Sequence, residues 1–262
     1  MASAENPIFV ESPPPPPPAR DPVWSGRDVF VLVLVAFFAL IVCGLVIDVS
    51  VAAFYPKQKL EEVARMPVVS ILAQAFASAV LLGAMYRIVT RRYGSPFWDS
   101  VRWKWPHLGL AFLCATGGVA LALMVDFASS LVPVPKSLPI YKLFGTTASA
   151  YALAGYGILL APAIEELFFR GFLYPVLARR KGVPLAVLLT SVAFMLIHVS
   201  QRGGAWLPLV ILFFVGLSFT LARAWTGSVA VPYLMHVAYN TTLFAGLFFS
   251  TGFFQHMERV SQ

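Results

Sequence analysis

The chain has 262 residues, a formal net charge of +7 and a mean hydropathy of +0.78, with 59% hydrophobic and 12% charged residues. Soluble domains carry about a quarter charged residues. Half that share excludes a soluble globular enzyme, and the apolar content excludes disorder over most of the length. Cys43 and Cys114, both inside apolar runs, act as small hydrophobes and exclude a disulfide scaffold.

Residues 1–27 differ from the rest. Pro13 to Pro18 form an unbroken run flanked by Glu5, Glu11, Arg20 and Asp21, which favours an extended polyproline II segment. The layout is not that of a secretory signal peptide. Residues 1–27 therefore read as a disordered, proline-rich cytoplasmic tail, with docking to a proline-binding partner module as the sharper alternative.

Seven runs then lack Asp, Glu, Lys and Arg: 29–47, 66–86, 106–125, 145–164, 182–201, 203–222 and 224–255. Roughly 20 helical residues cross a hydrocarbon core, and backbone polar groups cannot be left open in lipid. The expected fold is all-α, a polytopic membrane bundle of about seven helices. The fifth is the shortest, ending near His198. An eighth crossing has room only around 131–143 or in the long last run. With the N-terminus inside, the inner segments hold eleven Lys and Arg and the outer ones seven. That bias predicts a cytoplasmic N-terminus, and in a bacterial cell the inner membrane. Arg87, Arg91, Arg92, Arg102 and Lys104 lie beside apolar runs and no nucleic-acid motif accompanies them, so they read as topology determinants and lipid-headgroup contacts.

Of twelve Asp and Glu, only Glu165 and Glu166 fall deep in a span, in Ala161-Pro-Ala-Ile-Glu-Glu-Leu-Phe-Phe-Arg170. One ionised residue at a span centre costs about 2.5–3.5 kcal/mol. A Leu or Phe returns only about 0.3–0.6 kcal/mol. A segment that merely had to cross would not carry the pair. Glu166 and Arg170 stand at i and i+4 and can pair, whereas Glu165 is offset by about 100°. One carboxylate is thus neutralised and the other left to work as a proton acceptor.

Two histidines extend the pattern. His198 follows Phe194 by four residues in the fifth run. His236 precedes Asn240 by four in the last run, on one helical face. His107 and His256 sit at span edges. Three helices could thus bring Glu165, His198, His236 and Asn240 into one cavity. Two chemistries fit those groups. A carboxylate and an imidazole can activate water while His and Asn donors stabilise an oxyanion. Alternatively, Glu165, His198 and His236 can act as three ligands of a catalytic zinc. In both, the substrate is a peptide entering a hydrophobic cavity.

At these residues the sequence resembles the CPBP family, which includes type II CAAX prenyl endopeptidases and bacteriocin-processing enzymes. Its motifs E-E-x-x-x-R, F-x-x-x-H and H-x-x-x-N/D match Glu165-Glu166-Leu-Phe-Phe-Arg170, Phe194 to His198, and His236 to Asn240. The stretch Arg223-Ala-Trp-Thr226-Gly227-Ser228 also looks like the family's pattern. The likeness covers about 150–245. The chain thus divides into a tail (1–27), N-terminal transmembrane helices (28–145) and a membrane core (146–255) that carries the protease-like motifs. The likeness implies that Glu165 and His198 activate the hydrolytic water, that Glu166 and Arg170 hold the motif helix with Phe194 in support, and that His236 and Asn240 form the oxyanion site. Zn2+ stays open, because the family has been described both as metalloproteases and as glutamate-dependent enzymes. The expected function is an intramembrane endopeptidase acting on a hydrophobic or membrane-anchored peptide. Its rivals are a non-catalytic scaffold or immunity protein of the same family, and a proton-coupled transporter.

Overall fold

A computed structural model describes residues 21–256 except 56, 58, 132–138 and 204. The polyproline run and the rest of 1–20 lie outside the described residues. Nine helices are present among the described residues, and no strand. They are α1 (Gly26–Ala52), α2 (Leu60–Ala64), α3 (Pro67–Arg92), α4 (Phe97–Ser100), α5 (Leu108–Ser130), α6 (Thr147–Lys181), α7 (Val183–Leu196), α8 (Trp206–Thr226) and α9 (Ala230–Ser250). The protein is an all-α, multi-pass integral membrane protein.

Each of the seven apolar runs gives one helix. Five of these, α1, α3, α5, α6 and α8, are long and apolar enough to cross a membrane. The other two of the seven fall short of that length or apolarity for different reasons. Helix α7 has 14 residues and rises only about 21 Å, short of the roughly 30 Å hydrocarbon core. Helix α9 has 21 residues, but His236, Asn240, Thr241 and Thr242 dilute its apolar character. The long last run holds no further crossing: α8 ends at Gly227, which takes a left-handed φ of 68°, and α9 gives way to a turn at 251–255.

The outer surface is apolar. On α1, Phe30, Phe37 and Phe38 are each more than half exposed. In water such a face would be a liability; against lipid tails it costs nothing. Helices pair as α1 with α3, α5 with α9, and α7 with α8. The α5–α9 crossing is close because Gly118 has no side chain: a Cβ there would collide with the Met235 carbonyl and lie 2.9 Å from Ala238 Cβ. Small residues let helix backbones approach in just this way.

Where the expected tail meets α1 the chain is docked. Trp24 is fully buried, stacks on Phe172 at 4.3 Å and donates to the Phe172 carbonyl at 3.1 Å. Arg179 donates to the carbonyls of Pro22 and Trp24 at 2.6 and 3.1 Å. A tail ending at 27 therefore overruns, and residues 22–27 belong to the packed bundle. Asp28, fully buried in the first turn of α1, accepts from the Ser25 amide and hydroxyl, from Arg92 and from Tyr93. The charge is tolerated because every partner is a donor. This network ties α1 to the end of α3. Outside the span, the Tyr93 hydroxyl is held above its ordinary pKa by burial and then by its bond to Asp28.

Helix α6 is 35 residues long and is not uniform. Wider π turns occupy Tyr156–Leu160 and Leu167–Leu173, with α geometry at Ala161–Glu166 between them. Two prolines account for this. Pro162 and Pro175 lack an N–H, and their rings crowd the carbonyls four residues earlier, at Ile158 and Gly171, inside the two π segments. The widened ladder presents the paired glutamates at its centre.

The Gly118 contact predicts that Gly118→Leu lowers the thermal midpoint in detergent, an overpacking cost of about 1–3 kcal/mol. Gly44→Leu, where nothing lies within 4 Å, should leave the midpoint unchanged. Equal midpoints for both would refute the close crossing.

Candidate active site

Glu166 and Arg170 are both fully buried and pair at 2.9 Å, as the i, i+4 spacing predicts. Each of the three guanidinium nitrogens of Arg170 has a partner. Its Nε donates to Thr220 Oγ1 at 3.1 Å and a terminal nitrogen donates to the Gly216 carbonyl at 2.8 Å, both on α8. It also lies 4.7 Å from the centre of the Phe194 ring and 5.6 Å from that of Phe219. Gly216 is required there, since a Cβ would stand 2.9 Å from the Phe194 ring. Phe194 thus fills the space between the charge pair and α8. Arg223, itself buried, donates to the Arg170 carbonyl at 3.2 Å.

The same Glu166 oxygen accepts from His236 Nδ1 at 2.9 Å. A carboxylate only accepts, so the proton sits on Nδ1 and Nε2 carries the lone pair. His198 is fixed likewise, with Nδ1 donating to the Phe194 carbonyl at 2.8 Å. Both imidazoles in their neutral form therefore present an acceptor at Nε2. His198 is not within a helix: α7 ends at Leu196 and His198 stands in the turn that follows. Asn240 spends one amide hydrogen on the Gly157 carbonyl at 2.6 Å and retains a second.

Glu165 is half-buried and makes no ion pair among the described residues. With His198, His236 and Asn240 it lines one cavity of about 390 Å³. Helix α6, the turn after α7, and α9 thus converge on a single space. Its other walls are mostly apolar, from Phe144, Leu153, Leu212, Val215 and Leu247. A second cavity of about 340 Å³ runs between α1, α3 and α6, lined by Val33, Phe37, Leu40, Leu81 and Phe168. The two share Glu165, Tyr156, Gln74, Ala161 and Gln201, so Glu165 stands where they meet.

The tautomers of both histidines suit a metal ligand, each with its far nitrogen bonded to an oxygen. The grouping does not: among the described residues no three His, Cys, Asp or Glu side chains are placed to hold a metal ion, Glu165, His198 and His236 included.

Several contributors escaped the sequence reading. Thr220, Gly216 and Gly157 act through a hydroxyl or a backbone carbonyl and carry no charge signal. Tyr156, hydrogen-bonded to Ser78 at 2.9 Å, looks like any aromatic in a span. Arg202 stands in the gap between two apolar runs, four residues after His198, and no motif marks it.

Fold and site together define a membrane protein with a carboxylate- and imidazole-lined cavity among its helices. Residues 147–242, which run from the start of α6 to just past Asn240, match the family model described as type II CAAX prenyl endopeptidase Rce1-like. Over this segment the chain is similar to that family. Neither the curated proteins nor the solved structures yield a match.

Because Arg170 and Glu166 neutralise each other in a dry core, Arg170→Met alone should cost about 3–5 kcal/mol, the usual penalty for stranding a buried charge. Adding Glu166→Gln should recover part of that loss. Unfolding of the single and double variants in detergent measures it. A double variant as unstable as the sum of the two singles would show that the charges are not coupled.

Proposed function

We propose that the protein is an intramembrane endopeptidase that hydrolyses a peptide bond of a hydrophobic or membrane-anchored substrate. The observation that supports this most is the meeting of Glu165, His198, His236 and Asn240 on one cavity. Glu165 is the carboxylate that Arg170 does not neutralise. Glu165 and His198 take the proton of a water whose oxygen adds to the substrate carbonyl carbon. The carbonyl π pair moves onto oxygen, and the second amide hydrogen of Asn240 donates to the resulting oxyanion. His236 joins that donation only when protonated, because its neutral Nε2 is an acceptor. Collapse of the adduct re-forms the carbonyl and breaks the C–N bond, and the proton held by Glu165 and His198 passes to the leaving amine.

The apolar cavity beside Glu165, facing α1 and α3, supports a substrate with a hydrophobic or lipid-anchored portion. The basic ends of α3 and α6, with Arg91, Arg92, Arg179, Arg180 and Lys181, support placing that end at an anionic inner leaflet, and with it a cytoplasmic N-terminus.

Removal of a positioned acid–base group should lower kcat by about 100- to 10,000-fold. Glu165→Gln and His198→Ala should therefore abolish cleavage of quenched hydrophobic peptides by reconstituted protein, with thermal midpoints near wild type. Full kcat in Glu165→Gln would contradict the assignment of the base.

A further inference from the structure

Arg202 is the guanidinium on the wall of the cavity that holds Glu165 and His198. It lies in the turn after α7, its backbone amide bonded to the His198 carbonyl at 3.1 Å. Its charge reaches His198 and Tyr239. Yet among the described residues it makes no ion pair, and its buried Nε has no hydrogen-bond partner. The contrast with the two sequestered arginines, Arg170 and Arg223, is sharp. Arg170 is satisfied by Glu166, Thr220 and Gly216, and the Nε of Arg223 by the Arg170 carbonyl.

Depth makes the unpaired charge costly. If α7 starts at the interface marked by Arg179, Arg180 and Lys181, its 14 residues carry the following turn about 21 Å into a core of roughly 30 Å. A guanidinium kept there without a counter-charge is destabilising in the empty protein. It becomes favourable when an anion arrives, and the planar fork of arginine matches a carboxylate. Glu165 is the other charged group of the cavity wall.

Resting on the peptidase reading, we propose that Arg202 is a specificity-determining residue that binds a carboxylate of the peptide substrate while Glu165 and His198 attack a nearby bond. Two sources share that chemistry: the free C-terminus of the peptide, and an Asp or Glu side chain within it. The geometry selects peptides that place a negative group close to the scissile bond in an otherwise apolar sequence.

The test uses full-length protein in lipid nanodiscs and three fluorescent peptides of one apolar sequence. One has a free C-terminal carboxylate, one a C-terminal amide, and one the amide with a single internal Asp. Wild type should bind at least one carboxylate form ten-fold or more tighter than the plain amide, and whichever form gains identifies the source. Arg202→Gln should level the three affinities, and Arg202→Lys should keep part of the preference. Equal wild-type affinities, no measurable binding of any peptide, or a preference that survives in Arg202→Gln would overturn the proposal. If Arg202→Gln does not fold, the wild-type comparison and Arg202→Lys decide. Turnover is read on the same samples. Discrimination without cleavage would leave the subsite standing and defeat the peptidase reading; cleavage of all three peptides without discrimination would do the reverse.

Discussion

Two carboxylates side by side within a bilayer face opposite requirements, and the Glu166–Arg170 pair resolves them. Glu166 is sealed in the core by a guanidinium that is itself held by α8 and flanked by aromatic rings. That arrangement links α6 to α8, and through His236 to α9. With one charge neutralised, the other is free to face a cavity. Taking Arg170 away would leave two uncompensated acids in one helix, so the pair supports both the packing of the second half of the chain and the chemistry proposed for it.

The rest of the site follows from helix lengths and breaks. Irregular backbone is tolerated at membrane depth only where protein buries it or a polar cavity receives it. Helix α7 stops early, and its closing turn carries His198 and Arg202 to the cavity wall. Helix α6 is widened on both sides of its glutamates by prolines that cannot complete the α ladder. Helix α9 trades apolar residues for His236 and Asn240. These three departures from an ideal spanning helix coincide with cavity residues.

Much of this was legible in the sequence. Long uncharged runs can only be helices in lipid, and seven such runs became seven helices. The 166/170 pairing follows from helical spacing alone, and the three motifs pointed to the matched family segment. What was not legible depends on tertiary contact. Asp28 stands at the edge of an apolar run, and nothing along the chain marks that Arg92 and Tyr93 reach it from the end of α3. Trp24 looked like part of a disordered tail, but Phe172 offers a ring and a carbonyl. The bond between His236 and Glu166, rather than Glu165, reflects how α9 crosses α6, and periodicity along one helix does not encode a crossing. The end of α7 before His198 was equally hidden, because an apolar run does not mark where a helix gives way to a turn.

The central claim is that adjacent glutamates live in different environments, one sealed and one open to the cavity. Carboxyl footprinting of the unmodified protein in nanodiscs, with a carbodiimide and an amine nucleophile read by mass spectrometry, addresses it directly. The account predicts that Glu165 is modified while Glu166 is protected until the protein unfolds. Modification of Glu166 at the same rate as Glu165, or a Glu165 that stays unreactive in the folded protein, would contradict it.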